Sequence, residues 1–211
     1  MAEFELFCFA QSGNAYKAAL MLNMSGADWQ PRFVDFFKGE HRTPEYLAIN
    51  EMGEVPVLRH GDVTLSQSGV ILNYLAEQIG QFGPQNRDEE REILRWMLFD
   101  NHKFTSYTAT LRFMLRFNDA NEASVVDFLR DRSQKAFAIV EQHLGNREFM
   151  VDERPTIADI SLCGYLFWPE QLDVDWPSYP HIQAWLERIR NLPGWRHPYE
   201  LMAGAPAADR G

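Results

Sequence analysis

The chain has 211 residues, 45% of them hydrophobic, and a formal net charge of -10 from 30 acidic and 20 basic side chains. That hydrophobic share supplies a core and argues against wholesale disorder. The acidic balance argues against a nucleic-acid partner, and the length permits one large domain or two small ones.

Cysteine usage narrows the setting. Cys8 and Cys163 form neither a Cys-x-x-Cys pair nor a metal-binding spacing. No disulfide framework and no metal are expected, and a reducing compartment is the expected environment. The opening MAEFELF has acidic residues where a secretory signal carries basic ones. No apolar run approaches the roughly 20 residues of a membrane span. The expectation is a cytoplasmic protein with no membrane partner.

Residues 3–9, EFELFCF, predict a buried strand. Ala15, Ala18, Ala19 and Leu22 then recur at helical spacing, which predicts a helix over 14–25 with Gly26 as its stop. Ser12, Gly13 and Asn14 stand at the join. They are either plain helix caps or groups awaiting a ligand. Residues 29–37 predict an extended segment, with Pro31 marking an edge or a strand start. Thr43-Pro44-Glu45 predicts the cap and first turn of a short helix. Residues 55–65 predict two short strands around His60-Gly61-Asp62. Residues 67–80 predict a helix capped by Ser68, with Val70, Ile71, Tyr74 and Leu75 inward.

The register changes after Gly80. Residues 81–86, holding Gly83 and Pro84, predict a linker between a first domain, 1–80, and a helical domain, 87–202. Long helices are expected over 87–116 and 121–144, and a further one over about 178–190 that stops near Pro193-Gly194. Thr156 and Asp159 stand at capping-box spacing, although the box prefers Glu or Gln in the second place. The small-residue end, 203–211, predicts a mobile tail.

A mixed α/β unit followed by an all-helical one resembles the cytosolic glutathione S-transferases. Five stretches carry the resemblance in order: SGNAYK, GEHRTPEYLAIN, GEVPVL, LSQSGVILNYLAE and PTIADISL. It spans essentially residues 2–200. The resemblance implies an N-terminal thioredoxin-like domain that binds glutathione, a helical C-terminal domain that shapes the pocket for a second, electrophilic substrate, and a homodimer. Ser12 and Asn14 are then the candidates for stabilising the glutathione thiolate. Their pattern is similar to theta- and Nu-like bacterial enzymes, whereas beta-class enzymes place a Cys in this loop. Val55-Pro56 is expected to be a cis peptide whose Val55 backbone pairs with the tripeptide like an added strand. Gln67 and Ser68, at a helix start, are expected to hold the γ-glutamyl end.

Glu54 departs from the pattern, since many relatives carry Lys or Gln there, near the glycyl end. Lys38, His41 or Arg42 is expected to supply the missing cation. Asn101-His102-Lys103 resembles a His-Lys pair of the beta class whose His faces the active-site cleft. His102, Lys103, Phe99 and Tyr107 are therefore candidates for the second-substrate pocket. The aromatic stripe Trp96, Phe99, Phe104, Tyr107, Phe113 and Phe117 reads either as pocket lining or, more often for such stripes, as core. Arg95 and Arg112 point either to the cleft or to the dimer seam. The expected activity is attack of glutathione's thiolate on a small apolar electrophile. Two alternatives stand beside it: glutathione-dependent reduction of disulfides or peroxides, and a non-catalytic binding module on the same fold.

Overall fold

A computed structural model describes residues 2–118, 122–151 and 153–204. The described chain forms two compact units: residues 2–81 with 192–204, and residues 82–191.

The first unit is built on a four-stranded sheet ordered β2-β1-β3-β4, from β1 (Phe4–Cys8), β2 (Trp29–Phe33), β3 (Val57–His60) and β4 (Val63–Ser66). β1 and β2 run parallel, joined through α1 (Gly13–Met24), while β3 and β4 form the antiparallel hairpin. This is the thioredoxin-like arrangement, with α3 (Ser68–Ile79) following the hairpin. β1 lies between two neighbours and is buried along nearly its whole length. β2 is an edge strand and mostly exposed, so Pro31 removes no ladder donor from the sheet interior. The extended segment ends sooner than expected, because Phe36–Lys38 and Glu40–Arg42 are single helical turns leading to α2 (Pro44–Leu47).

The inward face of α3 is rotated from the expected one. Ile71, Leu72, Leu75 and Ala76 are buried, whereas Val70 is 52% exposed. Val70-Ile71-Leu72 is an unbroken apolar run, so its periodicity does not choose which member turns outward.

The second unit is helical: α4 (Arg87–Phe99), α5 (Thr105–Phe117), α6 (Ala123–Leu144), α7 (Ile157–Cys163) and α8 (Pro180–Arg190). The expected single helix over 87–116 is interrupted by a π-helical turn, Asp100–Phe104. The extra residue in that turn accompanies a fully buried Asp100. The Asp100 carboxylate accepts from the Thr105 hydroxyl at 2.5 Å and from Ser161 of α7 at 2.6 Å. The capping box of α7 is complete with Asp159 in the second place.

Residues 192–204 belong with the first unit, where the sequence reading ran the helical domain to 202. They include α9 (Pro198–Leu201). The expected mobile tail begins with Ala203, whose carbonyl accepts from the Ala10 N–H at 2.9 Å; residues 205–211 lie outside the described chain.

Candidate active site

β1 delivers the chain to Ser12, which sits as N-cap of α1 with extended backbone angles. The Ser12 oxygen accepts from the Ala15 N–H at 3.1 Å. This uses a lone pair and leaves the hydroxyl proton available, so the cap and ligand readings of Ser12 are compatible. Asn14 is the second residue of α1, and its Oδ1 accepts from the Ser68 hydroxyl at 3.4 Å. The amide NH2 of Asn14 is then left for another acceptor. Asn14 and Ser68 are thereby joined across 54 residues of sequence.

α3 begins differently from its sequence expectation. Ser68 is its first helical residue, and Gln67 is the cap residue, with no side-chain capping bond. Among the described residues, the opening amides of α3 therefore have no capping side chain. Gln67 holds φ 67° and ψ 115°, a left-handed conformation rare outside glycine. Its Nε2 donates to Glu54 Oε2 at 3.0 Å and to Met52 Sδ at 3.1 Å.

α2 and the loop after it position the next segment. Thr43 caps α2, Pro44 opens it, and both the Tyr46 hydroxyl and the Asn50 amide donate to the Glu54 carbonyl at 2.9 Å. The Val55 side chain packs against Phe7, Val34, Tyr46 and Val57. The Val55–Pro56 peptide is cis. Glu54 is exposed, and among the described residues its carboxylate is paired with the Gln67 amide and with no cation.

The proposed cations do not gather around Glu54. Lys38 is exposed and paired with Asp35 at 2.9 Å. His41 is buried and stacks on Phe36 with ring centroids 4.0 Å apart. Its Nε2 accepts from the Arg42 guanidinium at 3.2 Å, which leaves a buried Nδ1 without a partner. Burial, then the Arg42 charge, holds the His41 imidazole below its usual range, so it stays neutral at pH 7. This corrects the expectation of His41 as a cation.

In the helical unit, His102 is exposed on the π-helical turn and Lys103 is half-buried beside it. Phe99 packs edge-on against Trp96 at 5.5 Å, and Tyr107 packs on the cluster of Leu111, Val126 and Leu129. No hydrogen bond or ring contact joins His102, Lys103, Phe99 and Tyr107 among the described residues. Trp96 and Phe104 are core residues of this unit, while Phe113 is exposed. Arg112 is buried and bonded to Gln171, lying over Trp168; Arg95 pairs with Glu92 on the surface.

Both cysteines are buried, and burial pushes the Cys8 thiol up to about 12. No group of His, Cys, Asp or Glu able to hold a metal occurs among the described residues.

The fold matches what comparison with known proteins finds. The model of the glutathione S-transferase N-terminal domain matches residues 2–77, and that of the C-terminal domain matches residues 102–193. The structure is similar to that of a possible glutathione S-transferase from Rhodopseudomonas palustris. That likeness has a TM-score of 0.88 and 30% identity, and covers 99% of this chain and 96% of that one. A maleylacetoacetate isomerase of Pseudomonas aeruginosa is 29% identical over 92% of this chain and 95% of its own length. A theta-class glutathione S-transferase from Xanthomonas axonopodis pv. citri, solved with glutathione bound, shares the fold at TM-score 0.86 and 24% identity, covering 97% of this chain and 99% of that one. The chain belongs to the glutathione S-transferase family, a family of enzymes.

Proposed function

We propose that the protein is a glutathione transferase that activates the glutathione thiolate for attack on a small, apolar electrophile. The observation that carries this reading is the side-chain-uncapped start of α3, tied through Ser68 to Asn14 at the start of α1. The bare amides of α3 suit the γ-glutamyl carboxylate, and the Val55 backbone suits strand-like pairing with the cysteinyl residue. The sulfur then falls to Ser12 and Asn14, each with a donor to spend.

A free thiol with pKa near 8.5 is mostly protonated at neutral pH, and only the thiolate attacks well. Lowering that pKa by about two units takes roughly 2.7 kcal/mol. One charge-assisted hydrogen bond supplies about 1.5–3 kcal/mol, and the start of α1 adds about 0.3–1 through its dipole. No general base is required. The thiol proton leaves to solvent, a C–S bond forms, and the electrophile's leaving group departs with its electron pair.

Met52, 55% exposed, and the outward Val70 support a homodimer with a second copy of this chain. Light scattering at micromolar concentration is expected to give twice 24.5 kDa, and a monomer mass counts against the dimer. His102 is proposed to tune the second substrate: His102→Ala changes turnover and leaves glutathione affinity in place.

The deciding assay compares glutathione with an aryl halide against glutathione with a small mixed disulfide. Faster conjugation is expected. Faster disulfide reduction overturns conjugation in favour of a reductase, and failure to bind glutathione at all leaves a non-catalytic module. Titrating the bound thiolate absorbance in Ser12→Ala and Asn14→Ala assigns the donor. A pKa still depressed in the double variant assigns the work to the helix amides alone.

A further inference from the structure

After α8 the chain returns to the first unit and runs along α1 from its C-terminal end to its start. At the far end, Asn23 Nδ2 donates to the Gly194 carbonyl at 2.6 Å. Gly194, at φ 78°, approaches so closely that a Cβ would stand 2.8 Å from the Asn23 carbonyl oxygen and 2.9 Å from Met24 Cα. Midway, the Tyr16 hydroxyl donates to the Arg196 carbonyl at 2.8 Å. Leu201 at the end of α9 and Met202 just after it are buried, and the Ala203 carbonyl accepts from Ala10 N–H at 2.9 Å. At Gly204, with φ 126°, a Cβ would stand 3.1 Å from Gln11 Oε1 and 3.3 Å from Ala10 N. Ala10 is fully buried, and two residues further stands Ser12, whose N–H donates to the Phe9 carbonyl at 3.0 Å.

The loop that presents Ser12 is therefore held from two sides: by its own turn and by the strap formed by residues 192–204. Take the strap away and the buried Ala10 N–H has lost its acceptor, a cost the loop can relieve only by moving. Displacement matters here because a donor stabilises developing charge only when it is already aimed, and a misplacement of about 1 Å from a remote change is enough to cost rate heavily.

We propose that the strap is a positioning element for the thiolate. The Ala203 carbonyl and the close approach of Gly204 fix the Ala10–Ser12 loop and with it the aim of the Ser12 hydroxyl. This rests on the reading that Ser12 faces the glutathione sulfur. The γ-glutamyl end, held at α3, lies outside the strap's influence. The strap thus acts on thiol ionisation and turnover and leaves affinity for the tripeptide in place.

Three full-length variants test it: Gly204→Ala, Gly194→Ala and Ser12→Ala. For each, the bound-glutathione thiolate is titrated by absorbance, glutathione affinity is measured calorimetrically, and the thermal midpoint is recorded. Gly204→Ala is expected to raise the bound-thiol pKa by about one unit, a tenfold loss of thiolate below that pKa, with affinity within about twofold. Gly194→Ala crowds the strap at its remote end and is expected to lower the midpoint without moving the thiol pKa. If Ser12→Ala shifts the pKa and Gly204→Ala lowers only the midpoint, the strap is structural and the proposal falls. If Ser12→Ala itself leaves the pKa in place, the reading of Ser12 has failed, and the strap's role fails with it for that separate and visible reason.

Discussion

Helix α7 opens with its neighbouring donors satisfied, whereas α3 opens with its amides bare of side-chain caps and its cap residue in a left-handed conformation. At α7 the buried Asp159 carboxylate accepts from the N–H groups of Met150 and Thr156 at 2.7 and 2.8 Å and from the Trp185 indole at 2.9 Å. Thr156 returns the favour by accepting from the Ala158 N–H at 3.2 Å. At α3, the Gln67 side chain turns away to Glu54 and Met52. One helix start is closed by side chains of the protein itself; the cap residue of the other supplies no side-chain acceptor. Stability and function can therefore be separated by mutating one start or the other.

The largest effect is expected at α7. Asp159→Ala leaves three buried N–H groups without their acceptor, a loss of about 4 kcal/mol. Urea denaturation measures it, and a loss under about 1 kcal/mol breaks the claim that this start is structural. Ser68→Ala is its counterpart at α3. Losing a hydrogen bond to a charged ligand group costs about 1.5–3 kcal/mol, roughly ten- to a hundredfold in glutathione affinity. Stability should change by less than about 0.5 kcal/mol, because Ser68 caps nothing and its bond to Asn14 is long at 3.4 Å. Equal losses in both measurements return Ser68 to a structural role.

Gln67→Gly sharpens the contrast by moving the two quantities in opposite directions. Relief of the left-handed conformation is worth about 1–3 kcal/mol, offset by about 0.5–1 for glycine's freedom in the unfolded chain. The variant should melt higher, by about 1 kcal/mol of stability, while binding glutathione more weakly. A lower melting temperature means that Gln67 is not strained. The smallest effect belongs to Glu54→Gln. Removing an exposed carboxylate beside an anionic ligand should tighten glutathione binding by about 0.5 kcal/mol, roughly twofold, at low salt. The gain should vanish at high salt; a gain that survives points to a direct contact instead.

Much of the first unit was legible because its signals are local. Thr43-Pro44 and the apolar strand runs each act within a few residues, and the five family stretches fix their order. The structure joins Asn14 to Ser68 and leaves Lys38 with Asp35. What was missed depends on partners remote in sequence. The π-helical turn contains no Pro or Gly, and its one signal was Asp100 set among apolar helical residues; its partner Ser161 lies 61 residues away. Pro193-Gly194 reads as the stop of the helix, and α8 ends at Arg190, yet turn chemistry does not say which surface the chain will meet next. Leu201 and Met202, apolar residues next to a small-residue end, were the available hint that it meets a core.

The burial of Cys8 bears on durability. An enzyme that handles electrophiles, as proposed above, would itself be exposed to alkylation, and a cysteine four residues before Ser12 would be an obvious casualty. With its thiol pushed up to about 12 by burial, Cys8 stays protonated, and so weakly nucleophilic, at neutral pH. Its side chain is also wholly shielded, as is that of Cys163. The protein keeps its own sulfur out of circulation, and under the proposed function the sulfur at risk would be that of glutathione, which is replaced at each turnover.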